Sequence, residues 1–143
     1  MSALSAQVAG VGLWTPGFPS AQAWRKGQSD PTQTEKPKAA LLDRACARRA
    51  SLFARTMAIA YAEAAHAAAL DLTDVSGIFG SGLGETRVML DLLEQMIRGA
   101  DEDFSPMKFA VSVHNAAAGL VSISTHNRAF TTSVAADHDT PAM

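Results

Sequence analysis

The chain has 143 residues, 48% of them hydrophobic and 18% charged, with a net charge of −2 at pH 7. That length suits one globular domain, and a weakly acidic balance with scattered basic residues lacks the footprint of a nucleic-acid-binding surface. The single cysteine, Cys46, excludes an internal disulfide, no segment approaches the roughly 20 apolar residues that cross a bilayer, and no export leader opens the sequence, so the expected compartment is the cytoplasm.

Gln7 to Thr15 is a short apolar run interrupted by Gly10 and Gly12 and closed by Pro16-Gly17, which predicts a buried first strand. Gly27 to Lys38 is polar and carries Pro31 and Pro37, the composition of a solvated loop. Asp43 is placed to cap a long helix reaching about Leu70. Ala45, Leu52, Met57, Ala60, Ala64 and Ala68 would form its apolar face, and Arg44, Arg48, Arg49 and Arg55 its wet one. Val75 to Gly80 reads as a second strand. Glu85 to Arg98 reads as an amphipathic helix, with Val88, Leu92 and Met96 on one stripe and Leu93 and Ile97 beside it. Asp101 to Asp103 is an acidic loop, and Pro106 begins a new segment. Asn115 to Ser124 is a small-residue helix with so few charges that it should be buried, and Thr131 to Ala136 is β-branched enough for a last strand. Strands alternating with helices predict an α/β layer with a partly parallel sheet.

Gly80-Ser-Gly-Leu-Gly84 follows a strand and precedes a helix, the setting in which backbone N–H groups hold phosphate. The spacing departs from G-x-G-x-x-G because position 85 is Glu, whose carboxylate would repel a phosphate, and no lysine follows. A tight turn is the preferred reading, and a nucleotide- or cofactor-binding module using Gly80 to Glu85 is the alternative. His114, His126 and His138 fall on a helix start, a turn and a strand end, which is poor geometry for a shared metal, so no metal is expected. Asp137-His138-Asp139 lacks a nearby nucleophile, since Thr132 and Ser133 share one short strand with opposed side chains. Cys46 reads as a small buried residue.

Ser112-Val-His-Asn-Ala-Ala-Ala-Gly119 followed by a buried strand resembles the approach to the nucleophile of the β-ketoacyl synthases, where a helix opening on S-x-x-N-x-x-A-G precedes the strand that delivers a catalytic cysteine. Val8 to Gly17 resembles the family's first strand and turn. Trp24 and Gly27 match its short helix, Arg48 to Ala65 its long helix, and Gly77 to Gly84 its next strand and turn. The closest resemblance is to ketosynthase-like or chain-length-factor-like subunits of aryl polyene pigment clusters. The resemblance implies the N-terminal half of a thiolase-like fold, with a mixed sheet packed by helices and residues 1–143 as one β-ketoacyl synthase-like N-terminal domain whose C-terminal half is absent.

It also implies that His138 occupies the nucleophile position and that the histidines of decarboxylation belong to the other half. The chain would then be non-catalytic alone and act as a dimer partner of a catalytic ketosynthase subunit, served by an acyl carrier protein and needing no cofactor. Met107, Lys108, Phe109, Ser112 and Asn115 would lie at the dimer seam and acyl tunnel.

Overall fold

The computed structural model describes residues 5–33, 37–99 and 105–142. Helix α1 (Ala21–Arg25) opens on Ser20, whose hydroxyl accepts the Ala23 N–H, and is followed by Gly27 at φ +65. Helices α2 (Arg44–Arg49) and α3 (Leu52–Ala67) lead through a short 3-10 turn, Leu72–Asp74, into strand β1 (Gly77–Gly80). Helix α4 (Thr86–Ile97), the single-turn α5 (Pro106–Ala110), helix α6 (Ala116–Thr125) and strand β2 (Thr131–Val134) follow, and a 3-10 turn over Asp137–Ala142 comes last. The acidic run Asp101 to Asp103 lies outside the described residues.

The predicted long helix is two helices. Asp43 caps the first, its carboxylate accepting the Cys46 N–H at 2.8 Å. The chain then leaves helical geometry at Ala50 (ψ 125), and Ser51 starts α3 by accepting the Ala54 N–H at 2.9 Å. Arg55 is not on a wet face. Its guanidinium donates to the carbonyls of Ala47 and Ala50, which the break deprives of helical partners.

Strands β1 and β2 pair in parallel, with Gly77 opposite Thr131 and Gly80 opposite Val134. Asn127 steadies the entry to both, donating to the Val75 carbonyl at 2.7 Å and accepting the Ala129 N–H at 2.8 Å. Phe79 points into the core, where its ring lies 5.5 Å from that of Tyr61, whereas Ile78 on the opposite face is 74% exposed.

The core sits between α3, α6 and the inner face of this sheet. Its members are mostly small: Ala39, Leu42, Cys46, Ala54, Ala58, Phe79, Ala117, Ala118, Leu120 and Val121. Alanine at the crossing lets helix backbones approach closely. The charge-free helix α6 is buried as expected, and Thr125 satisfies its own hydroxyl by donating to the Val121 carbonyl at 2.9 Å. The polar loop also gives more to the core than its composition promises, because Pro37 and Ala39 at its end are buried.

The expected first strand does not form. Residues 6–14 have no regular structure and pair with no strand among the described residues, and Val8 and Val11 are exposed. This segment lies directly on α3 instead. A Cβ on Gly12 would fall 1.8 Å from the Ala60 carbonyl oxygen, and one on Gly10 would fall 2.2 Å from that of Ala64, so the two glycines permit backbone-on-helix contact. Glu63 fastens it, one carboxylate oxygen accepting the Leu13 N–H at 2.8 Å and the other the Ala21 N–H at 2.9 Å.

Candidate functional site at the strand ends

In a parallel sheet the carboxyl ends of neighbouring strands open on the same side, where ligands of α/β proteins collect. Here those ends are two apposed turns. The Gly80–Gly84 turn is closed by the Ser81 hydroxyl, which accepts the Gly84 N–H at 2.8 Å, and Gly84 has φ +54. The turn after β2 is closed by Thr140, whose hydroxyl accepts the Ala136 N–H at 2.9 Å and donates to the Asp137 carbonyl at 2.8 Å. The turns touch closely enough that a Cβ on Gly82 would sit 2.9 Å from the Asp137 carbonyl oxygen. Between them lies a concavity of about 480 Å³ lined by Gly80, Ser81, Gly82, Asp137, His138 and Thr140.

His138 therefore stands at the mouth of the strand-end site, and among the described residues no hydrogen bond holds its ring. Its side chain is 99% exposed, and the nearest carboxylate, Asp137, is 3.9 Å away, too far for a hydrogen bond that would orient the ring. Asp137 itself has φ +50, an uncommon conformation for a residue with a side chain, forced by the sharp exit from β2. Cys46 is fully buried under the helices and away from this site. No group of three potential metal ligands occurs among the described residues.

The residues expected at the seam divide into two groups. Ser105 caps α5 by accepting the Lys108 N–H, and Ser112 closes its other end by donating to the Phe109 carbonyl at 2.9 Å. Met107, Lys108 and Phe109 lie on the open surface of α5. Asn115 sits apart from them at the start of α6, lining a concavity of about 600 Å³ with Val113, His114, Gly119, Ser122 and Thr131 to Ser133. In that wall the Ser133 hydroxyl is buried without a hydrogen-bond partner among the described residues.

A pairing that sequence reasoning missed is Ser51 with Glu85. Glu85 is only 4% exposed, and its carboxylate accepts the Ser51 hydroxyl at 2.6 Å. Burial raises the pKa of Glu85, and the Ser51 hydrogen bond partly opposes that rise. The available signal was Ser51 itself, a capping residue directly before an apolar helical run. With Gly84 packed against His114 and Gly82 against the Asp137 carbonyl, the glycines serve close packing.

Parallel strands ending in two apposed turns, with a buried alanine-rich helix feeding the second strand, form an α/β domain whose fold matches an N-terminal fragment of a thiolase-like ketosynthase. Residues 21–143 match the family described as beta-ketoacyl synthase, N-terminal domain, and the chain belongs to that family. In fold it is similar to a solved structure of a ketosynthase (ApeO) in complex with its chain length factor (ApeC) from Xenorhabdus doucetiae. The TM-score is 0.68 at 23% identity, over 96% of this chain and 58% of that one. The chain thus spans under two thirds of that protein's length. No curated protein matches it.

Proposed function

We propose that this chain is the N-terminal domain, residues 1–143, of a ketosynthase-like subunit. It is non-catalytic by itself and works as a chain-length-factor-like partner in fatty-acid or polyketide-type assembly, with aryl polyene synthesis as the specific setting. The observation that carries this reading is the exit of β2. Where the family places its cysteine nucleophile, this chain has Asp137-His138-Asp139, with an imidazole 99% exposed and unoriented. Acyl transfer needs a nucleophile held against a base and an oxyanion hole. The chain's one thiol, on Cys46, is buried in α2.

The partner is a catalytic ketosynthase subunit, and an acyl carrier protein brings the chain that the pair handles. Two features support the pairing. The edge of β2 away from β1 is unpaired among the described residues, and an unpaired strand edge is a template on which another chain can pair. Met89, Leu90, Leu93, Met96 and Ile97 of α4 and Met107 and Phe109 of the neighbouring α5 are all exposed, and exposed apolar residues grouped in this way mark a protein contact. The stripe expected to bury Val88, Leu92 and Met96 buries Leu92 alone, which leaves the rest of α4 for a partner. The nucleotide-binding alternative is disfavoured by the carboxyl of Glu85, a buried acidic group directly after the turn where a phosphate would need to sit.

The test is intact-mass spectrometry after incubation with an acyl thioester, alone and with a co-purified catalytic ketosynthase. The expected result is no adduct on this chain and one on the ketosynthase cysteine. An acyl adduct on this chain that disappears in His138→Ala would overturn the reading.

A further inference from the structure

Helix α4 rests on the molecule by a narrow strip. At about 3.6 residues per turn, Met89, Leu90, Leu93, Met96 and Ile97 fall within about 120° of arc, and all five are exposed. Arg87, Asp91, Glu94 and Arg98 occupy the adjoining arc and are exposed too, while Leu92, the buried side chain of the helix, lies on the other side of the apolar stripe.

The stripe is rich in thioethers. Among the described residues, Met89, Met96 and Met107 lie on α4 and its neighbour α5 with 45%, 56% and 53% of their surface exposed, whereas Met57 packs against the core. Leucine would offer similar apolar area and lose less rotamer freedom at a contact, so apolarity alone does not call for methionine. What the thioether adds is a polarizable sulfur with a lone pair that oxidants attack. The chain's only thiol offers no competing target, because Cys46 is 0% exposed beneath the helices.

We propose that Met89, Met96 and Met107 form a redox-controlled site: oxidised by hydrogen peroxide, they turn the α4–α5 face polar and release the catalytic ketosynthase subunit, and reduction restores the contact. The control rests on the proposed reading of that face as the partner contact. In each oxidation the sulfur lone pair attacks one peroxide oxygen. An S–O bond forms, the O–O bond breaks, and the proton of the attacked oxygen passes to the departing one, which leaves as water. Sulfur loses the two electrons that the peroxide gains. Each sulfoxide replaces a soft apolar group with a polar acceptor, which an apolar contact would bury without a donor. Two thiols reverse the step on the reductases that serve the two sulfoxide epimers, leaving thioether, water and a disulfide.

The test treats the full chain alone with hydrogen peroxide, removes the peroxide, and mixes the chain with a catalytic ketosynthase for size-exclusion chromatography with light scattering. Peptide-mapping mass spectrometry locates the added oxygens. Expected are one oxygen at each of Met89, Met96 and Met107 before Met57, loss of co-elution in step with them, an unchanged circular dichroism spectrum, and recovery after treatment with both sulfoxide reductases. The triple variant Met89→Leu, Met96→Leu, Met107→Leu keeps Met1, Met57 and Met143, and whatever co-elution it shows should not respond to peroxide. Oxidation of Met57 as early as the other three, co-elution that survives their oxidation, loss accompanied by unfolding, or the same loss in the leucine variant would each overturn the proposal. An untreated chain that fails to co-elute would refute the contact itself, and the control with it. Should the leucine variant fail to fold or bind, the wild-type mapping and its recovery decide alone.

Discussion

At the scale of single residues the molecule turns on a few polar groups that its small-residue core leaves little room to replace. Because burial raises the pKa of Glu85, the folded state binds a proton more readily than the unfolded chain. The stability this contributes is complete below the unfolded carboxyl pKa of about 4.3 and is lost as pH rises through the higher folded value. Chemical denaturation from pH 4 upward should therefore show wild-type stability declining through that interval, and Glu85→Gln should lose this slope. Ser51→Ala removes the α3 cap and strands Glu85 at once. It should cost about 1 kcal/mol for the cap alone, measured by urea unfolding, and more when Glu85 is ionised. At His138 the expectation runs the other way. A side chain that touches so little can be replaced by alanine with a change within about 0.5 kcal/mol.

Individual elements show where sequence was informative. Helix α6 and strand β2 were legible because their signals agree, a run without charge followed by a β-branched run. The break between α2 and α3 was hidden because Ala50 is a good helix former and the apolar spacing continues past it. The break depends on Ser51, Arg55 and Glu85, which come together only in three dimensions. The segment around Gly10 and Gly12 was misread for a related reason. Its composition suits a strand, yet it lies against α3, and the signal for this is a pair of glycines matched to alanines on a helix more than forty residues away. Gly12→Ala tests that contact. Overpacking against the Ala60 carbonyl should destabilise by about 2 kcal/mol, a fall of about 8 °C in Tm for a chain of this size. Glu63→Gln should release the same segment while leaving the strand pair intact. The strand-end site was partly legible, since the strand expected from Thr131 forms and ends shortly before His138, whereas the absence of an orienting partner for that ring among the described residues required the structure.

For the whole molecule, the distribution of apolar surface matters most. The face formed by α4 and α5 is open, and so is the outer face of β1 at Ile78, although parallel sheets are ordinarily covered on both sides. Replacing Leu93 and Met96 with aspartate should leave the fold intact, because both side chains are already exposed, and should abolish co-elution with a ketosynthase partner in size-exclusion chromatography with light scattering. Co-elution that survives the double substitution would place the contact elsewhere. The parallel register has a separate effect. Gly77 and Thr131 stand opposite each other in register 54 positions apart in sequence, so the sheet cannot begin to form until a long intervening segment has been brought round. Helix α3 relies on local contacts and is available early, while the strands must wait for the slowest closure in the chain. Until then β1 and β2 remain unpaired and able to pair with the wrong molecule. The step most exposed to aggregation during refolding is thus the one that assembles the strand-end site.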